Sequence, residues 1–393
     1  MARPPKSTAT SVPRQPTRYA QRNFGVAASP QTAAANLQSL GPTPPPTRND
    51  GVIDLADIIG ASAVTAIQNI GEIRFHALGD SGVGHADEAE AVANEMATDY
   101  RHGADTLNPA FLFHLGDVVY GPGKDDHYGE RFYRPYNGYP GKILAIPGNH
   151  DGEEKSAADT PSLKAFKANF CTDPPMLSHQ ASGSGLDRET MNQPGVYWML
   201  DAPFVRIVGL YSNRLENTGF LQGRTATGTV DNSQATWLTT TLRGIAGQRV
   251  KKALIIATHH PPYSLAGHAS NPAMTNDIDQ ACTEANIWPD AFFSGHAHNY
   301  QLHLRRGVGN KQIPYFVAGT GGMPVQHVPP ATGAPTDGTN GVTYEKAVAS
   351  LGYLFVTVSE AELKVEFWEL GGEHVNPFNT VTVDLANHTL AIV

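Results

Sequence analysis

Residues of the types that can ligate metal ions recur at five places along the chain, each directly after a short apolar run. The five stretches read IRFHALGDSG, FLFHLGDVVYG, ILAIPGNHDG, ALIIATHHPPY and AFFSGHAHNY. Their polar residues are Asp80; Asp117 and Tyr120; Asn149, His150 and Asp151; His259 and His260; and His296 and His298. Each has an ordinary structural explanation, because Asp and Asn are common in turns and at helix N-termini. Together, the carboxylates, carboxamide and imidazoles indicate a metal centre.

The donor atoms narrow the choice of metal. Carboxylate oxygen and imidazole nitrogen suit Fe, Mn or Zn rather than calcium, and thiolate donors are absent from these stretches. The number of donors also exceeds the four that one zinc ion needs. Two metal ions that share one carboxylate would use all of them.

The elements that must position these residues follow from the apolar runs. Each run is apolar on both faces and of strand length, which is typical of strands buried between layers. Helical patterns lie between the runs, for example EAEAVANEMATDYRHG and QATWLTTTLRG, and DLADIIGASAVTAIQNI predicts a helix before them. This alternation predicts an α/β (α+β) fold. Since sites in open α/β sheets form at the carboxyl ends of strands, the five ends should converge on one rim.

The order of the motifs resembles that of the calcineurin-like metallophosphoesterases, and within them the purple acid phosphatases. The resemblance rests on GDSG (79–82), GDVVY (116–120), GNHD (148–151), THHPPY (258–263) and GHAH (295–298). Most of that superfamily has Asp-x-His at the first motif, whereas Asp80-Ser81-Gly82 offers no imidazole. Tyr120 stands where the purple acid phosphatases place a metal-bound tyrosinate. The resemblance implies a four-layer β-sandwich flanked by helices, with the metal site at the strand C-terminal ends.

The resemblance also implies two ligand sets. The first metal would take Asp80, Asp117, Tyr120 and His298, and the second would take Asp117 as a bridge with Asn149, His259 and His296. A phenol with a pKa of about 10 binds as the anion near neutral pH only to a strong Lewis acid. Fe(III) is therefore expected in the first site, and a divalent ion (Fe, Zn or Mn) in the second.

The implied activity is that of an acid phosphatase, in which a metal-bound hydroxide attacks a phosphate monoester in line. His150 matches the family's histidine that contacts phosphate and protonates the leaving group. His268, in SLAGHAS, resembles the second catalytic histidine of the small tartrate-resistant branch, and a surface-loop histidine is the lesser alternative. Both histidines are expected to be protonated below their ordinary pKa of about 6.5. His260 and His114 receive no role.

Two other functions use the same motifs. A phosphodiesterase on the same fold needs the same metals, so the motifs do not separate it from a monoesterase. An iron-based redox or radical-generating protein is the alternative from a different class. The proton-donating histidines favour hydrolysis, because a binding or redox module has no need of them.

The chain of 393 residues divides unevenly. Residues 1–50 carry six basic residues and one acidic residue and end in a Pro-rich stretch, which predicts a flexible arm. Residues 51–393 are predicted to form one catalytic domain, with an insertion or loop region at 152–235 and closing β-strands at 350–393. Cys171 and Cys282 are expected to be structural and free, and one disulfide between them is the alternative.

Charge and hydropathy limit the partners. The net charge of −9 argues against a nucleic-acid partner, which needs a basic face. No apolar segment reaches the length that spans a bilayer, and the N-terminus lacks the apolar core of a signal peptide. A cytoplasmic protein is expected, although purple acid phosphatases are usually exported. The expected partner is a small phosphorylated substrate.

Overall fold

The protein folds as two large β-sheets that pack face to face, with helices on the outside. The computed structural model describes residues 37–82, 87–100, 107–155, 161–183, 185–248, 252–265, 268, 272–333, 335–337, 341–371 and 376–393. The strands in these parts of the chain are β1 (Val52–Asp54), β2 (Glu72–Leu78), β3 (Phe111–His114), β4 (Lys142–Ala145), β5 (Trp198–Asp201), β6 (Val205–Leu210), β7 (Gly223–Arg224), β8 (Val230–Asp231), β9 (Ala253–Thr258), β10 (Ala291–Ser294), β11 (Tyr300–Val308), β12 (Lys311–Ala318), β13 (Pro335–Asp337), β14 (Val342–Val348), β15 (Gly352–Ser359), β16 (Glu362–Glu369), β17 (Asn379–Asp384) and β18 (Thr389–Ile392).

The helices lie between and after these strands. They are α1 (Leu55–Ile59), α2 (Ala61–Ile70), α3 (Asp87–Ala97), α4 (Asn149–Gly152), α5 (Lys164–Phe170), α6 (His179–Gly183), α7 (Ser233–Ala246) and α8 (Pro272–Ala285). Short 3-10 helices occur at Asn49–Gly51 and Asp125–His127, and Gly129–Tyr133 forms a π-helix. Within the described residues, no helix is long and apolar enough to cross a membrane.

Strand order shows which ends lie together. One sheet has nine strands in the order β1-β5-β6-β9-β10-β12-β11-β14-β13, and the other has seven in the order β18-β17-β16-β15-β2-β3-β4. The strands β2, β3 and β4 are parallel, as are β6, β9 and β10. Parallel strands end at the same edge of a sheet, so the motif-bearing ends are gathered as the sequence predicted.

The core lies between the sheets and under the helices. Trp198 of β5 packs edge-on against Phe113 of β3, with ring centroids 5.3 Å apart. On the outer face of the nine-stranded sheet, α7 buries Leu238, Leu242 and Ile245, whose spacing puts them on one side of the helix. Full burial of one such side chain contributes about 1.5–3 kcal/mol. The α/β fold with helix-flanked sheets is thus confirmed.

The helix predicted from DLADIIGASAVTAIQNI is two helices. Gly60 separates α1 from α2 and adopts a φ of 87°, a left-handed conformation that favours glycine and that an α-helix does not contain. The apolar periodicity continues across the break, which is why the pattern alone resembled one helix.

The described part of the predicted arm lies against the domain. Thr47 donates its backbone N–H to the carbonyl of Pro194 at 2.8 Å, and the Arg48 guanidinium donates to the carbonyls of Asn192 and Gln193. Residues 1–36 lie outside the described residues.

The end of the chain extends the seven-stranded sheet. β15 pairs antiparallel with β2, and β16, β17 and β18 follow as antiparallel neighbours, in agreement with the alternating sequence after residue 350. Cys171 and Cys282 are free, as expected, and burial raises the pKa of each thiol to about 12.

Candidate metal centre

The predicted ligands lie at strand ends from both sheets. Asp80 follows β2, Asp117 and Tyr120 follow β3, and Asn149 follows β4, all in the seven-stranded sheet. From the nine-stranded sheet, His259 follows β9, and His296 and His298 follow β10. The candidate centre therefore lies at the seam where the two layers meet.

The backbone turns sharply at three of these residues. Asp80, Asp117 and His296 have φ values of 64°, 53° and 71°, in the left-handed region that residues with a Cβ rarely adopt. Each such conformation costs on the order of 1–3 kcal/mol, and it persists where surrounding contacts enforce it. These turns direct side chains from the strand ends back into the centre.

Glycines in the motifs make room for the carboxylates. A Cβ added to Gly148 would lie 2.1 Å from Asp117 Oδ1, and one added to Gly295 would lie 2.5 Å from Asp80 Oδ2. Neither position tolerates a larger residue without movement of a carboxylate. The close backbone approach explains why GNHD and GHAH begin with glycine.

Four residues assigned to the second metal come together. His259 Nε2 lies 3.1 Å from Asn149 Oδ1 and 3.3 Å from Asp117 Oδ2. Ligand atoms of Asp117, His259 and His296 all lie within 4.8 Å of one another. His259 donates its Nδ1–H to the Leu115 carbonyl at 2.9 Å, which points Nε2 at the other donors.

The residues assigned to the first metal meet around the phenol of Tyr120. Its hydroxyl donates to Asp80 Oδ1 at 2.8 Å and lies 3.0 Å from His298 Nε2. His298 Nε2 is itself 3.5 Å from Asp80 Oδ1. Tyr120 is thus more than a packed aromatic, because its oxygen lies within the cluster of predicted ligands.

Backbone N–H groups orient both carboxylates. The N–H of His150 donates to Asp117 Oδ1 at 2.9 Å, which leaves Oδ2 for His259. The N–H of His296 donates to Asp80 Oδ2 at 2.8 Å, which leaves Oδ1 for Tyr120 and His298. Each carboxylate therefore keeps one oxygen directed into the centre.

The electrostatics of the cluster fit bound cations. Burial would raise the pKa of Asp80 and Asp117, but His259 lowers both, so two carboxylates are held ionised in the interior. Burial would lower the pKa of His259, yet Asp117 and Asp80 raise it to about 9. His296 Nε2 is buried and has no hydrogen-bond partner among the residues that the structure describes, and burial together with His268 lowers the pKa of His296 well below normal. Ionised carboxylates beside a neutral, unpartnered imidazole nitrogen form a suitable donor set for Fe, Mn or Zn.

The protonation of Tyr120 is coupled to this cluster. Burial, followed by Asp80, raises the pKa of the phenol well above its ordinary value. Without a cation the phenol keeps its proton and donates a hydrogen bond to Asp80. A bound Lewis acid would have to displace that proton, as the sequence led us to expect.

Asp151 organises two of the motif loops. Its carboxylate accepts N–H bonds from Gly148 at 2.8 Å, Val118 at 3.1 Å and Val119 at 3.2 Å. These bonds fasten the loop of GDVVY to the loop of GNHD. Burial and Asp117 raise the pKa of Asp151 to about 7. Sequence reasoning noted Asp151 and gave it no role, although its place in GNHD was a usable signal.

His150 lies at the mouth of the cluster. Its ring centroid is 4.6 Å from that of Tyr120, and its Nδ1 and Nε2 lie 3.4 Å from Glu153 Oε2 and 3.8 Å from Glu216 Oε2. Burial would lower its pKa, but Asp117, Glu216 and Glu153 raise it above the ordinary value. The carboxylates therefore favour the imidazolium form.

His268 also lies beside the cluster, with its ring centroid 4.0 Å from that of His296. Its Nδ1 is 3.2 Å from Asn217 Oδ1. Burial and His298 lower its pKa to about 4, below the ordinary value of about 6.5 on which the expectation of a protonated His268 rested. The difference arises because the sequence shows neither its burial nor its imidazole neighbours.

His260 and His114 have structural partners. His260 accepts from the Ser212 hydroxyl at Nδ1, 2.8 Å, and donates from Nε2 to the Leu215 carbonyl, 2.6 Å. His114 pairs with the Ser81 hydroxyl at 2.8 Å. Glu216, which reaches Asn149 and His150, was missed altogether, because the loop that carries it matches no motif.

Comparison with known proteins gives a family and a fold. The family described as Calcineurin-like phosphoesterase matches residues 73–300. A search of curated protein sequences found no significant match.

Several solved structures have a similar fold. A purple acid phosphatase from yellow lupin (Lupinus luteus) seeds has a TM-score of 0.54 at 16% identity; the match covers 80% of this chain and 54% of that chain, so this chain spans about half of the lupin enzyme. GAP50, the anchor in the inner membrane complex of Plasmodium, has a TM-score of 0.55 at 12% identity, with 80% and 89% covered. PhoD has a TM-score of 0.51 at 13% identity, with 82% and 72% covered. At these identities the likeness shows the fold alone.

Proposed function

The chain belongs to the calcineurin-like phosphoesterase family, and we propose that it hydrolyses small phosphate monoesters at a dinuclear metal centre of the purple acid phosphatase type. Family membership implies a phosphoric ester hydrolase with a divalent metal centre. The finer assignment to purple acid phosphatases and to monoesters is our proposal.

Tyr120 carries the proposal. Its hydroxyl is 2.8 Å from Asp80 Oδ1 and 3.0 Å from His298 Nε2, at the place where Ser81 and Gly82 supply no imidazole. A phenol in this position suits a trivalent ion better than a divalent one, because only a strong Lewis acid displaces its proton near neutral pH.

The distances support the two ligand sets that the resemblance implies. The first ion would be held by Asp80, Asp117, Tyr120 and His298, and the second by Asp117, Asn149, His259 and His296. When bound, the pair of cations neutralises phosphate charge and lowers the pKa of coordinated water. We propose Fe(III) in the first site and Fe, Zn or Mn in the second.

His150 would hold the proton that the leaving alcohol needs. Its pKa lies above the ordinary value of about 6.5, so the imidazolium form persists at mildly acidic pH. The side chain is 22% exposed, so the leaving group can reach it from solvent. His268, with a pKa lowered to about 4, would be neutral there and would bind phosphate through hydrogen bonds. This division of roles predicts a mildly acidic optimum.

Metal analysis combined with a substrate screen tests the proposal. Purified protein should contain two metal ions per chain, one of them iron, and should hydrolyse 4-nitrophenyl phosphate fastest below neutral pH. Asp117→Asn, purified identically, controls for contaminating phosphatases.

Three results would reject the proposal. A kcat/KM for bis(4-nitrophenyl) phosphate at least tenfold above that for the monoester would assign a phosphodiesterase instead. Iron-dependent radical production without ester hydrolysis would assign a redox protein. A wild-type chain that binds no metal would reject the dinuclear centre and, with it, the metal-dependent alternatives.

A further inference from the structure

We propose that Glu216 is a positioning residue that selects the orientation of the Asn149 carboxamide, and through it the affinity of the second metal site. This inference rests on the proposed function, because it assigns Asn149 to that site. Glu216 lies outside the five motifs, in the loop between β6 and β7.

The contact that carries the inference is made by the outer end of the carboxamide. Asn149 Nδ2 donates to Glu216 Oε2 at 3.2 Å, while Oδ1 faces the centre, 3.1 Å from His259 Nε2. The Asn149 side chain is buried, so few other partners can satisfy its NH2 group. An ionised carboxylate only accepts hydrogen bonds, so it pairs with the NH2 end and not with the oxygen.

Selection of the amide end matters because its two ends act oppositely on a cation. A carboxamide rotated by half a turn would direct its NH2 group at the second ion and remove an oxygen ligand. It would also place an oxygen against the Glu216 carboxylate and lose a charge-assisted hydrogen bond. Glu216 therefore penalises the non-binding rotamer twice.

The loop that carries Glu216 is itself fastened to the centre. Asn213, at a φ of 75°, accepts the Leu215 N–H at 2.7 Å through Oδ1 and donates to the Thr218 carbonyl at 3.1 Å through Nδ2. His260 donates to the Leu215 carbonyl at 2.6 Å. His260, which follows the proposed ligand His259, thus fixes the backbone next to Glu216. This hydrogen bond is a structural role for the His260 imidazole.

An exchange of donor and acceptor tests the inference. Glu216→Gln keeps the length of the side chain, but its amide can pair with either end of Asn149, so the selection is lost. In the double variant Asn149→Asp with Glu216→Gln, oxygen faces the ion in either rotamer, and the glutamine donates to the outer oxygen. The double variant also keeps the net charge of the wild-type pair.

The readout is the affinity of the second site for Zn²⁺, measured by competition with a chromophoric chelator on protein that retains its first ion. We expect Glu216→Gln to weaken this affinity 10- to 100-fold, as loss of an outer partner of a metal ligand does. The double variant should return to within about threefold of wild type, because the two substitutions compensate. Iron content should stay constant throughout. Glu130→Gln, which changes an exposed carboxylate paired with Arg134, is the matched control and should bind like wild type.

Two outcomes would overturn the inference while the proposed function stands: Glu216→Gln with wild-type affinity, or a double variant as weak as the single one. A wild-type chain with no second Zn²⁺ site would instead refute the proposed function, and this inference with it.

Discussion

Tyr120→Phe removes one oxygen and keeps the ring, so it separates metal ligation from packing. The hydroxyl donates to the ionised Asp80 at 2.8 Å and lies 3.0 Å from His298 Nε2, and the side chain is only 8% exposed. A hydrogen bond to a charged group contributes about 1.5–3 kcal/mol, and its loss leaves Asp80 without that donor. We therefore expect the chelator-treated variant to lose about 2 kcal/mol of unfolding free energy.

The metal-loaded variant should change in a second way. If Tyr120 binds Fe(III), charge transfer from phenolate to metal should colour the wild type purple or pink. Tyr120→Phe should lose that band and bind its first ion at least tenfold more weakly. Urea unfolding of the chelated protein and absorbance with iron analysis of the loaded protein measure the two effects separately.

Tyr315→Phe is the matched control, because it removes another buried phenol oxygen, one that accepts a hydrogen bond from Arg305 at 3.4 Å. It should leave colour and iron content unchanged. The ligand role of Tyr120 fails if iron(III)-loaded wild type is colourless or if Tyr120→Phe keeps the band. An unchanged unfolding free energy would show that the hydrogen bond to Asp80 contributes nothing.

The second ion, the proton donor and one glycine each give a further prediction. Asn149→Ala should release the second ion and retain the first, as elemental analysis after dialysis can show; retention of both ions would contradict the ligand assignment. His150→Ala should lower kcat strongly for alkyl phosphates and less for nitrophenyl phosphate, whose leaving group needs little protonation. Equal losses for both substrates would leave His150 only a role in phosphate positioning. Gly148→Ala puts a methyl group 2.1 Å from Asp117 Oδ1. The variant should lose about 1–3 kcal/mol of unfolding free energy and should bind neither metal ion. Gly244→Ala in α7, where an added Cβ meets no atom of the described residues within 4 Å, should instead raise the free energy of unfolding by about 0.5–1 kcal/mol. If the two glycine variants unfold alike in urea, the steric argument fails.

The sequence predicted what depends on local pattern. Apolar runs that end in Gly-Asp, Asn-His-Asp or His-x-His predicted the strand ends, because a buried strand must be apolar and its end is free to be polar. The distances now place the predicted ligand side chains in one cluster, although their roles in metal binding remain predictions. Tyr120 could be singled out because Gly82 left a gap that a nearby oxygen donor could fill.

What the sequence did not predict depends on contacts between distant segments. Glu216 reaches Asn149 from a loop that only the three-dimensional arrangement brings near, and no spacing in the chain announces it. The low pKa of His268 results from burial beside other imidazoles, which composition does not reveal. The contact between Thr47 and Pro194 is likewise a backbone hydrogen bond between distant segments, which the composition of residues 1–50 does not predict.

The position of the candidate centre at the seam between the sheets has a mechanical consequence. Each proposed ion would take donors from both layers: Asp80 and Asn149 belong to one sheet, and His259 and His298 to the other. The ions would then act as cross-links between parts of the chain that are far apart in sequence, and their binding energy would oppose separation of the layers. Chelation should loosen the sandwich along this edge first, so amide hydrogens at the facing ends of β3 and β9 should exchange faster while the far edges of both sheets stay protected.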